Sequence, residues 1–265
     1  DKAYRKNLEN SKKVTLYHQH NPSFFERVNF NFFYPNNKTI CIVRNPIQML
    51  ESWILHDLQK LQQISENTDS FYDTDEFSKV LSNTKNILST LEHFLNPMNS
   101  LKNVRGVRLE DIKNNPKQIL PKLTKWIGIK EDKSLYESSF LGKKFSRSSI
   151  NFTNVEGFDT KAIDAPIGRV FHSRDIQILE TLFWPFMDKY GYTKMSKKQF
   201  IENLRKIRPW LDEPFKFEID IHKKLPEDTP KIEDIIKLNK FRKKIIFFWE
   251  LLNSNKAYRH IFKPL

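Results

Sequence analysis

An arginine and a serine eight positions apart could together hold a phosphate group. Arg44 directly follows the apolar run 40–43, and Ser52 lies within the segment that begins at Pro46. A guanidinium group donates paired hydrogen bonds to a phosphate, and a hydroxyl group can add another. Phosphates bind in α/β proteins where a strand passes through a turn into a helix. The spacing therefore predicts a phosphate site, provided that the helix folds back past the end of the strand.

The elements that must position these two side chains follow from the local sequence. Residues 40–43 are rich in β-branched side chains, which is typical of a parallel strand covered on both faces. Pro46 fits the first turn of a helix, where its missing N–H costs nothing. We expect helices over residues 50–64 and 76–95, because their apolar residues recur at helical spacing.

The pattern Arg44-Asn45-Pro46 with Ser52 resembles the 3′-phosphate-binding motif of sulfotransferases that use 3′-phosphoadenosine-5′-phosphosulfate (PAPS). The resemblance extends from about Val14 to Tyr192. It implies an α/β fold of the P-loop type, with a short parallel sheet flanked by helices. The implied reaction moves a sulfonate from PAPS to a hydroxyl or amine and leaves 3′-phosphoadenosine-5′-phosphate (PAP). An ordinary Arg-Asn-Pro turn that caps a core strand is the alternative.

A histidine upstream of this motif is the candidate catalytic base. His20-Asn21-Pro22 follows a predicted strand and looks like the His-x-Pro element that carries the base of the family. Histidine suits this role, because its pKa of about 6.5 allows it to remove a proton at neutral pH. His18, two positions away, is the competing candidate.

Further segments are similar to those around the adenine in the same family. Residues 104–112 and the following Asn-Pro resemble the family's strand, Glu-Asp turn and helix, although Leu109 stands where a tyrosine usually contacts the adenine. Ser138 and Phe140 resemble the small hydroxyl and aromatic pair that flanks this ring, and stacking a base on a phenylalanine is physically reasonable. The resemblance therefore implies that both residues bind the nucleotide.

The resemblance also implies a second cation beside the 3′-phosphate. In the animal cytosolic branch of the family an Arg-Lys-Gly triplet supplies it, but residues 163–165 of this chain are Ile, Asp and Ala. Lys161 or Arg169 could supply the charge instead, and the sequence leaves that choice open. Arg169 lies in a glycine-centred loop, residues 166–171, before a predicted helix over 175–192. Gly191 is placed to end that helix in a left-handed conformation.

The family also has a loop of the Pro-Lys-Ser-Gly-Thr-Thr type, which binds the 5′-phosphosulfate through backbone N–H groups and a lysine. The six glycines are too scattered to form such a loop, and the chain begins with Asp1. We expect the loop to lie upstream of residue 1. Without it, the chain would be a non-catalytic, nucleotide-binding relative. The expected domains are a sulfotransferase-like domain over 1–192 and a basic helical extension over 193–265 that packs on it.

The amino-acid composition limits the classes of protein and the cellular compartments that fit this chain. A hydrophobic share of 38% with 13% aromatic residues excludes a mainly disordered chain. No stretch approaches the ~20 apolar residues of a membrane span. Cys41 is the single cysteine and cannot form an internal disulfide, which fits either a reducing interior or a protein indifferent to redox conditions. We therefore expect a cytoplasmic enzyme. The residues show no zinc-ligand spacing, and the implied mechanism requires no metal.

The net charge of +13 bears on the partners. A basic surface attracts a polyanionic donor or an acidic acceptor by long-range steering, and this makes a basic polyanion-binding protein a further hypothesis. The lysines form no known motif that reads nucleic acid, so we expect no such partner. The expected acceptor is a carbohydrate, lipid or peptide, which the fold cannot rank.

The predicted extension after residue 192 has three parts. They are a short helix over 200–210, a proline-rich connector over 214–230 and a longer helix over 232–252. Residues 241–249 are basic on one side and aromatic on the other. This pattern is typical of a helix packed on the domain, and it also allows a membrane-surface helix or a homodimer contact.

Overall fold

In a computed structural model, the chain forms two compact units, Asp1–Asn37 and Lys38–Leu265. The described residues are 24–65, 83–94, 96–137, 139–140, 143–144, 157–158, 160, 163, 165–223, 240–254 and 260–265. Within the first unit the structure describes helix α1 (Phe24–Phe33) and the residues that follow it. Asn37 donates a side-chain hydrogen bond to the carbonyl of Tyr34 at 2.6 Å, which closes the turn after α1.

The second unit mixes helices with short strands. In chain order its elements are β1 (Thr39–Val43), α2 (Pro46–Ser65), α3 (Asn83–Phe94), β2 (Val104–Arg108), α4 (Leu109–Asn114), α5 (Pro116–Ile127), β3 (Ser139–Phe140), β4 (Lys143–Lys144), α6 (Ser173–Leu182), α7 (Trp184–Lys189), α8 (Lys197–Ile207), α9 (Lys216–His222), α10 (Lys240–Asn253) and β5 (Lys263–Pro264). Short 3₁₀ helices cover Pro97–Ser100, Lys133–Tyr136 and Arg208–Asp212.

A parallel sheet with the strand order β1-β2-β5 lies at the centre of the described part of this unit. Val43 at the end of β1 pairs with Arg108 at the end of β2, so the two strands end level with each other. Side chains that follow these strands therefore meet at one edge of the sheet. The prediction of an α/β fold with a short parallel sheet flanked by helices is confirmed.

Gly106 in β2 permits close packing against the side chain of Tyr190. A Cβ atom at this position would lie 1.8 Å from the hydroxyl oxygen of Tyr190, so no larger residue fits without movement. The same hydroxyl group donates a hydrogen bond of 3.1 Å to the carbonyl of Phe262, just before β5. The backbone N–H of Leu265 donates to the carbonyl of Gly106 at 3.1 Å and extends this contact.

The helices bury their apolar faces against the sheet and against each other. Phe94 of α3 stacks on Phe186 of α7 with ring centroids 4.5 Å apart. Full burial of one such side chain contributes about 1.5–3 kcal/mol, so this cluster holds α2, α3, α6 and α7 together. Among its members that are no more than 1% exposed are Ile47, Leu50, Ile54, Ile87, Leu91, Ile178, Leu179, Leu182 and Phe183.

Strand β1 is less covered than its sequence predicts. Val43 is buried, but Ile42 remains 55% exposed. Successive side chains of a strand point to opposite faces of the sheet, so a continuous apolar run does not by itself reveal an open face. The expectation that the strand is covered on both faces is therefore wrong at Ile42.

Three local predictions also differ from the structure. The helix predicted over 175–192 breaks at Phe183, because Pro185 has no N–H to continue the hydrogen-bonding pattern. The Glu-Asp pair, predicted to form a turn, lies instead in the short helix α4. The connector predicted over 214–230 contains the helix α9. The backbone N–H groups of Lys216 and Phe217, at the start of α9, donate hydrogen bonds to the carboxylate of Asp175 at 2.8 and 3.0 Å. Gly191 does adopt the expected left-handed conformation, with φ of 69°.

The described residues after 192 are mainly helical. A buried ion pair joins two of these helices, because Arg242 of α10 donates to Glu218 of α9 at 2.6 Å. These residues also supply β5 to the central sheet. The domain boundary at residue 192 stays a prediction. None of the helices seen in the described segments is both long and apolar enough to cross a membrane.

Candidate functional site

Helix α2 starts directly beyond the end of β1 and determines the geometry of the site. The side-chain oxygen of Asn45 accepts hydrogen bonds from the backbone N–H groups of Ile47 at 3.0 Å and Gln48 at 3.3 Å. An asparagine in this position satisfies N–H groups that have no partner within the first turn. The Asn-Pro pair therefore turns the chain sharply and begins α2 beside Arg44.

Arg44 is half-buried at this edge of the sheet. Its Nε atom donates to the side-chain oxygen of Gln48 at 3.4 Å. Burial is the main cause that lowers the pKa of Arg44; nearby Glu110 raises this pKa and Arg169 lowers it. A guanidinium group remains cationic in proteins, so Arg44 is a partly desolvated positive charge with a second cation near it.

Ser52 faces this second cation. Its hydroxyl group donates to the carbonyl of Gln48 at 2.8 Å and accepts a hydrogen bond from Nη2 of Arg169 at 3.3 Å. Ser52 therefore lies beside a cation that is close enough to Arg44 to lower the pKa of Arg44. Arg44, Ser52 and Arg169 come together, although Arg169 lies 117 residues after Ser52.

A buried carboxylate on α2 holds the loop that carries Arg169. Glu51 is 0% exposed, and its Oε1 atom accepts hydrogen bonds of 3.0 Å each from the backbone N–H groups of Gly168, Val170 and Phe171. Nε of Arg169 lies 3.8 Å from the other oxygen. Gly168 has φ of 96°, a conformation that favours glycine and lets the loop wrap around the carboxylate.

Gln48 connects Arg44 to the same region of the chain. Its side-chain amide nitrogen donates to the carbonyl groups of Ile163, at 3.1 Å, and Ala165. Its side-chain oxygen accepts from Arg44. Three residues of α2, namely Gln48, Glu51 and Ser52, therefore fix both arginines relative to one helix face.

Tyr192 and Glu110 close the site on the side of β2. The hydroxyl group of Tyr192 donates to a carboxylate oxygen of Glu110 at 2.7 Å. Burial, followed by this hydrogen bond, raises the pKa of Tyr192, so the phenol stays protonated at neutral pH. The guanidinium of Arg108 lies over the Tyr192 ring, 4.7 Å from its centroid.

The donor groups at this edge suit a phosphate dianion. Two guanidinium groups repel each other, and a dianion between them would relieve that repulsion while it accepts paired hydrogen bonds. A hydroxyl group can rotate its hydrogen to donate to the same ligand. In the described segments, no group of three or more His, Cys, Asp or Glu side chains is placed to hold a metal ion.

Comparison with protein families identifies the chain. The family model for the sulfotransferase domain matches residues 2–160, which is more than half of the chain. This chain belongs to the sulfotransferase family. The match includes Arg44 and Ser52 of this sulfotransferase and ends before Arg169. No curated protein and no solved structure matches the chain.

The remaining predicted site residues of this sulfotransferase are not tested by the structure. His20, its competitor His18, Ser138 and Lys161 lie outside the described residues. Phe140 is described only as part of β3, whose backbone pairs with Lys143 of β4. The roles of all the predicted site residues, Arg44, Ser52 and Arg169 included, stay predictions.

Sequence reasoning missed several residues that shape the site of this sulfotransferase. Gln48 and Glu51 lie four and seven positions after Arg44, a spacing that places them on the helix face that also carries the predicted Ser52. That spacing could have revealed a polar face directed at a partner. No local signal marks Glu110 and Tyr192 as a pair, because they are separated by 82 residues.

Proposed function

We propose that this sulfotransferase transfers a sulfonate from PAPS to a hydroxyl or amine group of an acceptor and releases PAP. The observation that supports the proposal best is the 3.3 Å contact between Nη2 of Arg169 and the hydroxyl group of Ser52. This contact adds a second cation to the two residues of the phosphate motif. A phosphate monoester with two negative charges is the ligand that such a group of donors favours.

The 3′-phosphate of the donor would bind between Arg44 and Arg169. Each guanidinium can donate two hydrogen bonds to phosphate oxygens, and Ser52 can rotate its hydroxyl hydrogen away from the carbonyl of Gln48 to add another. Anchoring the nucleotide at this end orients its 5′-phosphosulfate for attack, which lowers the entropic cost of the reaction.

The transfer itself needs a base and an acceptor. In this proposal His20 removes a proton from the acceptor hydroxyl or amine, whose oxygen or nitrogen then forms a bond to sulfur. The bond between sulfur and the bridging oxygen breaks, and PAP leaves with the electron pair. A lysine-containing loop of the kind found in this family would stabilise the charge on the leaving phosphate.

The partners proposed here remain broad. The acceptor would carry its hydroxyl or amine on a carbohydrate, a lipid or a peptide. A homodimer and a cytoplasmic location are part of the same proposal, and Ser138 and Phe140 would flank the adenine ring of the donor.

Calorimetric titration with PAP tests the phosphate assignment. Arg44→Ala should weaken PAP binding about ten-fold or more, because a charge-assisted hydrogen-bond pair is lost. Arg105→Ala is the matched control: Arg105 precedes Arg108 on the same strand, donates to the carbonyl of Lys102 at 2.9 Å and stacks on Trp126. The control should bind PAP as the wild type does.

Two results would change the interpretation. Equal PAP affinity of wild type and Arg44→Ala would remove the proposed site. Tight PAP binding without consumption of PAPS, tested over a panel of acceptors, would favour the non-catalytic relative that the sequence allows.

A further inference from the structure

Glu51 is a buried charged group to which the proposed reaction gives no role. It directly precedes Ser52 on α2 and is 0% exposed. Burial of a carboxylate is costly unless several hydrogen bonds compensate for the lost water. Among the described residues, the compensation comes from one short loop, through the N–H groups of Gly168, Val170 and Phe171.

The pattern of these contacts determines where the side chain of Arg169 lies. The loop donates its N–H groups on both sides of Arg169 to Glu51, so the loop curves around the carboxylate. Nε of Arg169 lies 3.8 Å from Oε2 of Glu51 and donates to the carbonyl of Pro166 at 3.0 Å. Nη2 is then within reach of Ser52.

The charge of Glu51 has a second effect on the site. Arg169 is one of the groups that lower the pKa of Arg44, which is the sign of repulsion between two cations. The Glu51 carboxylate lies beside Arg169 and offsets part of that repulsion. Without it, Arg169, whose side chain is 28% exposed, could turn towards solvent and away from Arg44.

We propose that Glu51 is a positioning residue that holds Arg169 beside Ser52 and thereby gives the site its preference for a nucleotide with a 3′-phosphate. This inference rests on the proposed function, because it assumes that the two arginines bind that phosphate. Glu51 itself is too deeply buried to touch the nucleotide, and it acts only through the loop and Arg169.

Two nucleotides that differ in a single group provide the test. PAP carries the 3′-phosphate, and adenosine 5′-phosphate lacks it. Glu51→Gln should weaken PAP binding about ten-fold and leave the affinity for adenosine 5′-phosphate unchanged, because only the hold on the 3′-phosphate is lost. The measurement is the ratio of the two dissociation constants by calorimetry, at a temperature where each variant is folded.

Glu218→Gln is the matched control. Glu218 is also buried, accepts a backbone hydrogen bond from Phe215 at 2.7 Å and pairs with an arginine, Arg242, at 2.6 Å. Its loss should lower the melting temperature of the protein without changing the ratio of the two nucleotide affinities. A merely structural role of Glu51 predicts the same unchanged ratio for Glu51→Gln, and that result would overturn the inference.

A double-mutant cycle tests the route through Arg169. In an Arg169→Ala background, Glu51→Gln should have no further effect on the affinity ratio, because the residue that Glu51 positions is already absent. An undiminished effect in that background would contradict the inference. If Glu51→Gln does not fold, Glu51→Asp keeps the charge but withdraws it from the loop, and it should reduce the preference for PAP by a smaller factor; an unchanged preference would again contradict the inference.

Measurements on the wild-type protein distinguish a failure of the proposed function from a failure of the role assigned to Glu51. A wild type that does not prefer PAP over adenosine 5′-phosphate contradicts the proposed function, and the inference falls with it. A wild type with a clear preference that Glu51→Gln retains contradicts the role of Glu51 alone.

Discussion

The hydroxyl group of Tyr192 donates a hydrogen bond of 2.7 Å to Glu110, next to the shared end of β1 and β2. The same oxygen lies 3.5 Å from the carbonyl oxygen of Val43, the residue before Arg44. Glu110 in turn is close enough to Arg44 to raise the pKa of that arginine. One phenol therefore holds the carboxylate that lies near Arg44.

Tyr192→Phe should weaken both stability and nucleotide binding. Loss of the hydroxyl group leaves Glu110 without a buried donor, which costs about 1–2 kcal/mol of unfolding free energy. Glu110 can then move, and we expect PAP affinity to fall about three-fold as Arg44 loses its fixed partner. Urea unfolding and calorimetric titration measure the two effects.

Tyr190→Phe is the control for this change. Tyr190 is also buried, and its hydroxyl group donates to the carbonyl of Phe262 at 3.1 Å, away from Arg44. This variant should lose a similar amount of stability and bind PAP normally. Equal losses of PAP affinity in both variants would show that Tyr192 has no specific part in the site.

His20→Ala should abolish sulfonate transfer while PAP binding stays intact, because the base acts on the acceptor and not on the nucleotide. The measurements are the turnover number with PAPS and the dissociation constant for PAP. His18→Ala is the paired variant and should retain turnover. Loss of turnover in His18→Ala alone would transfer the role of base to His18.

Gly106→Ala should destabilise the protein by about 3 kcal/mol, because the new methyl group would overlap the Tyr190 hydroxyl group. Gly128→Ala provides the comparison: Gly128 has φ of 87°, but its Cβ would have no neighbour closer than 3.9 Å. That change should cost only about 1 kcal/mol, the usual cost of a left-handed alanine. Equal midpoints of chemical unfolding in the two variants would contradict the close contact at Gly106.

Asp175 should make stability depend on pH. Burial raises the pKa of this carboxyl group, against the opposing effect of hydrogen bonds from Lys216 and Phe217. A raised pKa in the folded state means that the group stabilises the fold fully below its unfolded pKa of about 3.9, and that this contribution is lost as pH rises through the folded pKa. The stability difference between wild type and Asp175→Asn should therefore be larger at low pH than at neutral pH. Urea unfolding over a pH series measures it, and a difference that grows with pH would contradict the raised pKa.

The parts of the fold that the sequence predicts carry local signals. The apolar β-branched run of β1 and the proline at the start of α2 identify both elements without reference to the rest of the chain. Strand β5 has no such signal, because Lys263-Pro264 becomes a strand only by pairing with β2. Helix α9 likewise depends on Asp175, which lies 41 residues before Lys216.

The same distinction applies to the site. Arg44 and Ser52 belong to one short motif and were predicted together. The sequence left Lys161 and Arg169 as alternatives, and the contact of Arg169 with Ser52 is a tertiary relationship. In the sequence, Glu51 looks like an ordinary glutamate on the exposed face of a helix. Only the loop that folds over it reveals that it is buried.

The proposed phosphate site is assembled from contacts between distant parts of the chain. Glu51 binds Phe171 across 120 residues, and Tyr192 reaches Val43 across 149. Contacts of such long range close large loops at an entropic cost, so we expect them to form late in folding. An intermediate with its helices in place but these closures missing would be unable to capture the nucleotide. Recovery of nucleotide binding during refolding would therefore mark completion of the native topology rather than the earlier appearance of helix.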